Sequence, residues 1–259
     1  LNNWFLMYFL SVVLIGTVYP IFLDVVSSQK ISVGPPFYQK LMIPFLIPFL
    51  LIMAIGPRLR WIKSNIEGKI YEILLFIISI LISALIVKSF NIKFLINTVL
   101  ISSAFYLFFV TIRDFFTSKH KNISQNIAHF GFSLLILSIL FNNLFSTEII
   151  TNLKIGESFN SSKVKIVFES IDQKNEKNYN SIIGNFSIKS PDGKTENLFP
   201  ELRIYNQPNI ITSEADIKTT LISDRFIVMN MVQNQEYFNI RYQVKSFMIW
   251  IWLSVVLIS

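Results

Sequence analysis

The chain has 259 residues, 52% of them hydrophobic and only 15% charged, with a mean hydropathy of +0.52. That balance excludes an ordinary soluble domain and points to a polytopic membrane protein. The net charge is +7, yet residues 146–246 hold 12 Lys/Arg and 12 Asp/Glu, so the excess lies in and beside the apolar runs, as membrane topology requires and nucleic-acid binding does not.

The first apolar run covers residues 4–23, with Trp4 placed as an interface anchor. Residues 24–40 read as a loop in which Gly34-Pro35-Pro36 sets a rigid non-helical turn. A second run, 41–55, contains Pro44 and Pro48 and predicts a kinked helix closed by Gly56-Pro57. Residues 70–87 and 94–112 form a helical hairpin around a tight turn, and a basic loop carrying Arg113, Lys119 and Lys121 follows. The fifth run spans 127–145. The loops at 57–69 and 113–125 carry seven Lys/Arg against four in the loops at 24–40 and 88–93, which puts the first pair in the cytoplasm. Residues 146–246 then lie outside, in a periplasm or its equivalent.

That region reads as a small, mainly β domain. Residues 163–168 and 185–189 alternate polar and apolar, as half-buried strands do. Ser190-Pro191-Asp192-Gly193 is a turn leading toward a strand near Leu202–Tyr205, with further strands at 225–231 and 237–244. The polar stretch from Asp172 to Ser181 reads as a mobile loop. Residues 247–259 are apolar but number 13, short of the roughly 20 that a spanning helix needs. With Leu as first residue, both ends read as cut, and the chain reads as part of a longer protein. The expected fold is thus a polytopic α-helical membrane protein, with five complete spans in residues 1–145 and a truncated sixth at 247–259. A small β-domain at 146–246 is inserted between the last two.

Chemistry is narrowly constrained. With no cysteine, the chain has no disulfide, Cys-based zinc site, iron–sulfur ligation or C-x-x-C-H haem attachment site. It has two histidines, His120 and His129, nine residues apart, which on one helix point to opposite sides. His120 sits in the basic Lys119-His120-Lys121 and reads as solvated. His129 sits in the apolar fifth run, where an ionisable side chain is expensive. Two roles are open to it: a neutral imidazole bonded to a neighbouring helix or snorkelling to the interface, or an axial ligand to haem iron. Ala128 and Gly131 beside it permit close approach of either a planar ring or another helix. Asp24 and Asp114 read as interface residues and Glu72 as a helix-start residue.

Several stretches resemble one family, the CcmF proteins, haem lyase membrane subunits of a multi-component cytochrome c maturation system. Gly16-Thr17-Val18-Tyr19-Pro20 and Lys30-Ile31-Ser32-Val33-Gly34-Pro35-Pro36-Phe37-Tyr38 resemble a membrane segment and its "ISVGPP" loop. Ile127-Ala128-His129-Phe130-Gly131 resembles the "AHxG" helix start, whose histidine is a transmembrane haem b ligand. Pro200-Glu201-Leu202-Arg203-Ile204-Tyr205 and Ser213-Glu214-Ala215-Asp216-Ile217 resemble the "PExRxY … TEAxI" stretch, and Trp250-Ile251-Trp252-Leu253 the start of a last helix. The resemblance covers nearly the whole chain and corresponds to the family's C-terminal part, whether by truncation or by gene splitting.

The resemblance implies a bacterial inner-membrane protein with its β-domain in the periplasm. It would take substrate haem transiently from a periplasmic haem chaperone and help attach it to the C-x-x-C-H of apocytochromes c. The thiol-reducing and apocytochrome-holding subunits would assist, with quinol as a possible electron source. His129 would be one axial ligand of haem b, the other coming from the N-terminal part, and the chain alone would be inactive. Gly34, Pro35, Pro36, Pro200, Glu201, Arg203 and Tyr205 are the further residues that the family motifs mark as haem- or partner-facing. Two other functions remain open at this level: a membrane transporter or haem exporter, and a structural or sensory membrane protein whose β-domain binds a partner.

Overall fold

The computed structural model describes residues 2–27, 31–56, 69–90, 94–117, 123–190, 193–232 and 236–259. They fall into two compact units, Leu1–Leu137 with Leu253–Ser259, and Ser138–Trp252.

The helices are α1 (Asn2–Ser27), α2 (Pro35–Ile55), α3 (Lys69–Ser89), α4 (Phe94–Thr117), α5 (Ile123–Phe145) and the short α6 (Met248–Ile258). The first five are long and apolar enough to cross a membrane; α6 has 11 residues. A chain crossing hydrocarbon must bond its own backbone, and a helix does so within one segment. Gly34-Pro35-Pro36 corrects the sequence reading. It is not a free-standing turn but the start of α2, with Gly34 as N-cap in an extended conformation and the prolines in the first two helical positions. Proline fits there because the amide it lacks has no intrahelical partner. Pro44 and Pro48 lie inside the same helix. Helix α4 runs five residues past the expected Ile112, so Arg113 belongs to the helix and not to a loop, and α5 starts at Ile123 instead of Ile127.

Within the first unit α4 is the core, packed by α2 and by α3, with α1 on α2. Leu100, Ile101, Ala104, Phe105, Tyr106, Leu107 and Val110 are buried along it. The buried hydroxyls of Ser79, Ser83, Ser102 and Ser103 donate to carbonyls three or four residues back, so these four are not carried into the contact unbonded. Two stretches distant in the sequence meet at Gly16, where a Cβ would fall 2.6 Å from the Tyr38 Oη. Tyr8 reinforces the same α1–α2 hairpin by donating to the Leu41 carbonyl at 3.0 Å. At Gly131 a Cβ would lie 2.8 Å from Leu257 Cβ and 3.1 Å from the Ser254 carbonyl. This glycine is therefore where α6 crosses α5 at backbone distance.

The second unit is a β-sandwich. Its strands are β1 (Thr147–Leu153), β2 (Ser158–Asn160), β3 (Lys165–Asn175), β4 (Tyr179–Lys189), β5 (Thr195–Leu198), β6 (Glu201–Asn206), β7 (Asn209–Glu214), β8 (Asp216–Thr219), β9 (Ser223–Met231) and β10 (Phe238–Ser246). One sheet has the order β1-β10-β9-β8; the other runs β2-β3-β4-β6-β7 with β5 also on β4. The inward residues of both sheets, among them Phe168, Phe186, Ile227, Met229 and Ile240, form one core. The Phe168 and Phe186 rings stack with centroids 4.3 Å apart. Gly184 makes room for that stack, since a Cβ there would lie 2.6 Å from the Phe186 ring.

Two loop expectations are corrected here. Asp172–Ser181 is not a mobile loop: Asp172, Gln173, Lys174 and Asn175 pair with Ile183, Ile182, Ser181 and Asn180 across an antiparallel hairpin. Backbone pairing, not hydrophobicity, holds these exposed polar residues in the sheet. The turn after β4 leads first to β5, and Leu202–Tyr205 belongs to the later β6. Ser190 and Gly193 close that turn, the latter at φ 77°, while Pro191 and Asp192 lie outside the described residues.

On β6 the Arg203 guanidinium meets Glu201 at 2.9 Å and Glu214 of β7 at 4.0 Å, and lies 5.1 Å from the centre of the Tyr179 ring. The hydrogen bond from Arg203 holds the Glu201 carboxyl below the usual carboxylate range. A carboxyl depressed in this way stabilises the fold above its unfolded value, and the contribution is lost as pH falls through the folded one.

Two outcomes follow. In Arg203→Met the β6 and β7 amides are expected to exchange faster than in the wild type at pH 7. After correction for intrinsic rates, the difference should shrink below about pH 4, where the carboxylates protonate. Hydrogen-exchange mass spectrometry in detergent measures both. Gly131→Leu should force α6 off α5, read as new exchange in residues 248–258 while the sandwich stays protected.

Candidate functional site

His129 lies in the second turn of α5, and the side chains around it fix which way it faces. A helix turns about 100° per residue, so positions three and four further on share a face with it. Those positions are Phe132, edge-on to Phe49 of α2 at 5.9 Å, and Ser133, whose Oγ lies 3.2 Å from Thr111 Oγ1 of α4. Phe130, on the same flank as Ser133, stacks on Phe108 of α4 at 5.6 Å. His129 thus faces the groove between α2 and α4. Gly131 points the opposite way, toward α6. The sequence left the small residues open between a planar ring and a helix, and at Gly131 the neighbour is a helix.

The imidazole is half-buried, and among the described residues no hydrogen bond is made to it. The Asp114 carboxylate, on the last turn of α4, is near enough to interact with it electrostatically. One residue along, Phe130 joins Ile112, Phe115 and Phe116 in lining an apolar cavity of about 320 Å³. His129 does not itself line that cavity; an imidazole nitrogen one residue from aromatic walls is chemically compatible with holding haem iron, for which imidazole is one of several common ligands. The described residues supply one such nitrogen. They contain no group of three or more His, Cys, Asp or Glu able to hold a metal ion. His120 lies outside the described residues.

The other motif residues serve the fold where they can be seen. Gly34, Pro35 and Pro36 start α2. Pro200 is buried and its carbonyl accepts from the Gly184 amide at 2.9 Å. Glu201 and Arg203 pair with each other, and Tyr205 packs against Tyr179 at 5.3 Å between ring centres. These β6 residues belong to the second compact unit and His129 to the first. Sequence reasoning missed an ion pair, Glu72 of α3 to Arg113 of α4 at 3.9 Å. An antiparallel hairpin places the first turn of one helix beside the last turn of the next. The pairing was readable only once α4 was known to extend past Arg113.

Comparison with known proteins places the chain. Residues 144–246 match a family profile described as the CcmF C-terminal beta-sandwich. Over 98% of its length the chain is 26% identical to the cytochrome c-type biogenesis protein CcmF of Pseudomonas fluorescens, covering 40% of that protein. It is 27% identical to the protein of the same name from Haemophilus influenzae, covering 42% of it, and 26% identical to that of Escherichia coli, covering 40%. The chain therefore spans about two fifths of the length of these relatives. A solved structure named cytochrome c heme lyase CcmF superposes on 99% of the chain and 43% of its own, with a TM-score of 0.72 at 17% identity, which shows the shared fold. Five membrane-length helices, a β-sandwich between the fifth and a short sixth, and these matches together show that the chain is similar to the CcmF proteins along nearly its whole length, with residues 144–246 matching their C-terminal β-sandwich.

Proposed function

We propose that this chain is the haem-b-binding part of a membrane haem lyase of cytochrome c maturation, with His129 as one axial ligand. The observation that carries the reading is the uncommitted imidazole on α5, turned into the α2–α4 groove beside an apolar cavity. The names of the relatives, cytochrome c-type biogenesis protein and heme lyase, support it. Bound haem would supply one-electron chemistry between ferrous and ferric iron.

The protein's own residues do the rest. His129 would hold the iron through one ring nitrogen, with the Asp114 carboxylate of α4 close enough to interact with it. Phe115, Phe116 and Phe130 exclude water, and low solvent access is one of the levers that set a haem potential. The contact between Thr111 and Ser133 fixes the rotation of α5 against α4 and thereby the direction of the imidazole. A second ligand to the iron would have to come from outside the described residues. Electrons from a donor such as quinol would keep the substrate haem reduced while it passes from a periplasmic haem chaperone to the C-x-x-C-H of an apocytochrome held by its thiol-reducing subunits. The Lys/Arg bias of the loops supports an inner-membrane orientation with the sandwich in the periplasm.

The test is a reduced-minus-oxidised spectrum of the complete assembly purified in detergent, with and without His129→Ala. The wild type is expected to show a b-type spectrum, and the variant to lose haem occupancy by about tenfold or more, as loss of a metal-site contact does. An unchanged spectrum and an unchanged potential in the variant would remove His129 from the site. A deletion strain that still makes normal amounts of holocytochrome c would overturn the wider function.

A further inference from the structure

The turn joining β8 to β9 carries two large apolar side chains into the open: Leu221 is 70% exposed and Ile222 66%. The level at which they sit is fixed within the second unit. Ser223 pairs with Ser246 as the last rung between β9 and β10. Beyond that rung β10 passes through Phe247 into the apolar helix α6, and β9 leads back into the Leu221–Ile222 tip. The tip therefore extends past the end of the sandwich, alongside the first turn of α6. Two hydrogen bonds hold it there: the Phe247 amide donates to the Ile222 carbonyl at 2.7 Å, and Trp250 Nε1 donates to the Leu221 carbonyl at 2.8 Å. The end of α5 lies at the same level, since Asn142 Nδ2 donates to the Ser246 carbonyl and Phe141 and Phe145 pack on Phe247.

We propose that the β8–β9 tip is a membrane-inserted anchor, with Leu221 and Ile222 in the boundary between phospholipid headgroups and acyl chains. Two features fit lipid as the occupant. First, the tip bonds both of its apolar residues' carbonyls and the amides on either side of them, which lowers the cost of entering a poorly hydrated layer. The Leu221 carbonyl accepts from Trp250 of α6 and the Ile222 carbonyl from the Phe247 amide just before it, and Thr220 N and Ser223 N are bonded across the turn to Ser223 O and Thr220 Oγ1. Second, the tip continues the apolar surface of a helix that has Trp250 and Trp252 at its start, the residue type that marks the membrane–water boundary. The anchor gives the sandwich a third attachment to the bilayer, besides α5 and α6.

These 259 residues contain no cysteine, so a single introduced cysteine is the one thiol label within them. Leu221→Cys and Ile222→Cys, labelled with a polarity-sensitive fluorophore, are compared with Glu236→Cys. Glu236 lies at the other end of β9 and β10, about 25–30 Å away for a strand of nine residues. In phosphatidylcholine–phosphatidylglycerol vesicles the tip labels are expected to emit at shorter wavelength. Nitroxide placed near the lipid headgroup should quench them several-fold more strongly than the Glu236 label, and aqueous iodide several-fold less. Equal quenching of tip and control by iodide overturns the proposal. So does protection of the tip that vanishes as the lipid-to-protein ratio is raised, which assigns the tip to a second copy of the chain. Exchange protection of β9 in each labelled variant confirms that the sandwich is intact.

Discussion

A backbone amide carried into hydrocarbon finds no water, and the whole chain is organised around that fact. It makes helices of the five long apolar runs. It sends the buried serine hydroxyls of α3 and α4 back onto their own helix carbonyls. It also gives Pro35 and Pro36 a natural place, because the first helical positions are where a missing N–H is not felt. With polar groups satisfied inside each helix, contact between helices is decided by shape. Among the described helices, Gly16 against Tyr38 and Gly131 against α6 are places where a side chain is left out so that a neighbour can come closer.

The same constraint shapes the return from sheet to helix. Strands β1 and β10 pair along their length, from Thr147 opposite Val244 to Leu153 opposite Phe238, so the chain leaves α5 and re-enters α6 side by side. The change from strand to helix is compressed into Phe247, a non-glycine residue at φ 60°. That conformation is unfavourable by roughly 1–2 kcal/mol for an L-residue and needs compensation from its surroundings. The Phe141 and Phe145 rings and the hydrogen bond to Ile222 surround it.

How much of this was legible in the sequence depended on the kind of signal each feature leaves. Long apolar runs are cumulative signals, and all five spans were readable; their ends were not, because Arg113 and the prolines at 35 and 36 look like loop residues one at a time. The β-domain was readable from alternation at 163–168 and 185–189. Strand segments held by pairing alone were hidden. Asp172–Asn175 is polar on both faces and becomes strand only because Asn180–Ile183 lies opposite it. Strands β7 and β8 have exposed Ile210, Ile211 and Ile217, a pattern with no clear inner face. For the site, a histidine in an apolar run stands out by its cost alone. The residues that aim it, Phe49, Phe108 and Thr111, lie on other helices and leave no local mark.

The direction of His129 separates two jobs that the sequence had placed on the same few residues. Position 131 is a glycine because α6 comes within van der Waals distance of its backbone; the imidazole two residues earlier points the other way, into the groove of α2 and α4. A helix with no partner on one side would be free to rotate, and an axial ligand on it would wander. Helix α5 is held by α6 at Gly131, by α2 at Phe132 and by α4 at Phe130 and Ser133, so its rotation is fixed within the four residues that follow the imidazole. The axial-ligand role proposed for His129 would require that rigidity, because reorganisation would otherwise accompany each electron. The close helix packing at Gly131 is therefore part of how His129 is presented, although it never touches the imidazole's face of the helix.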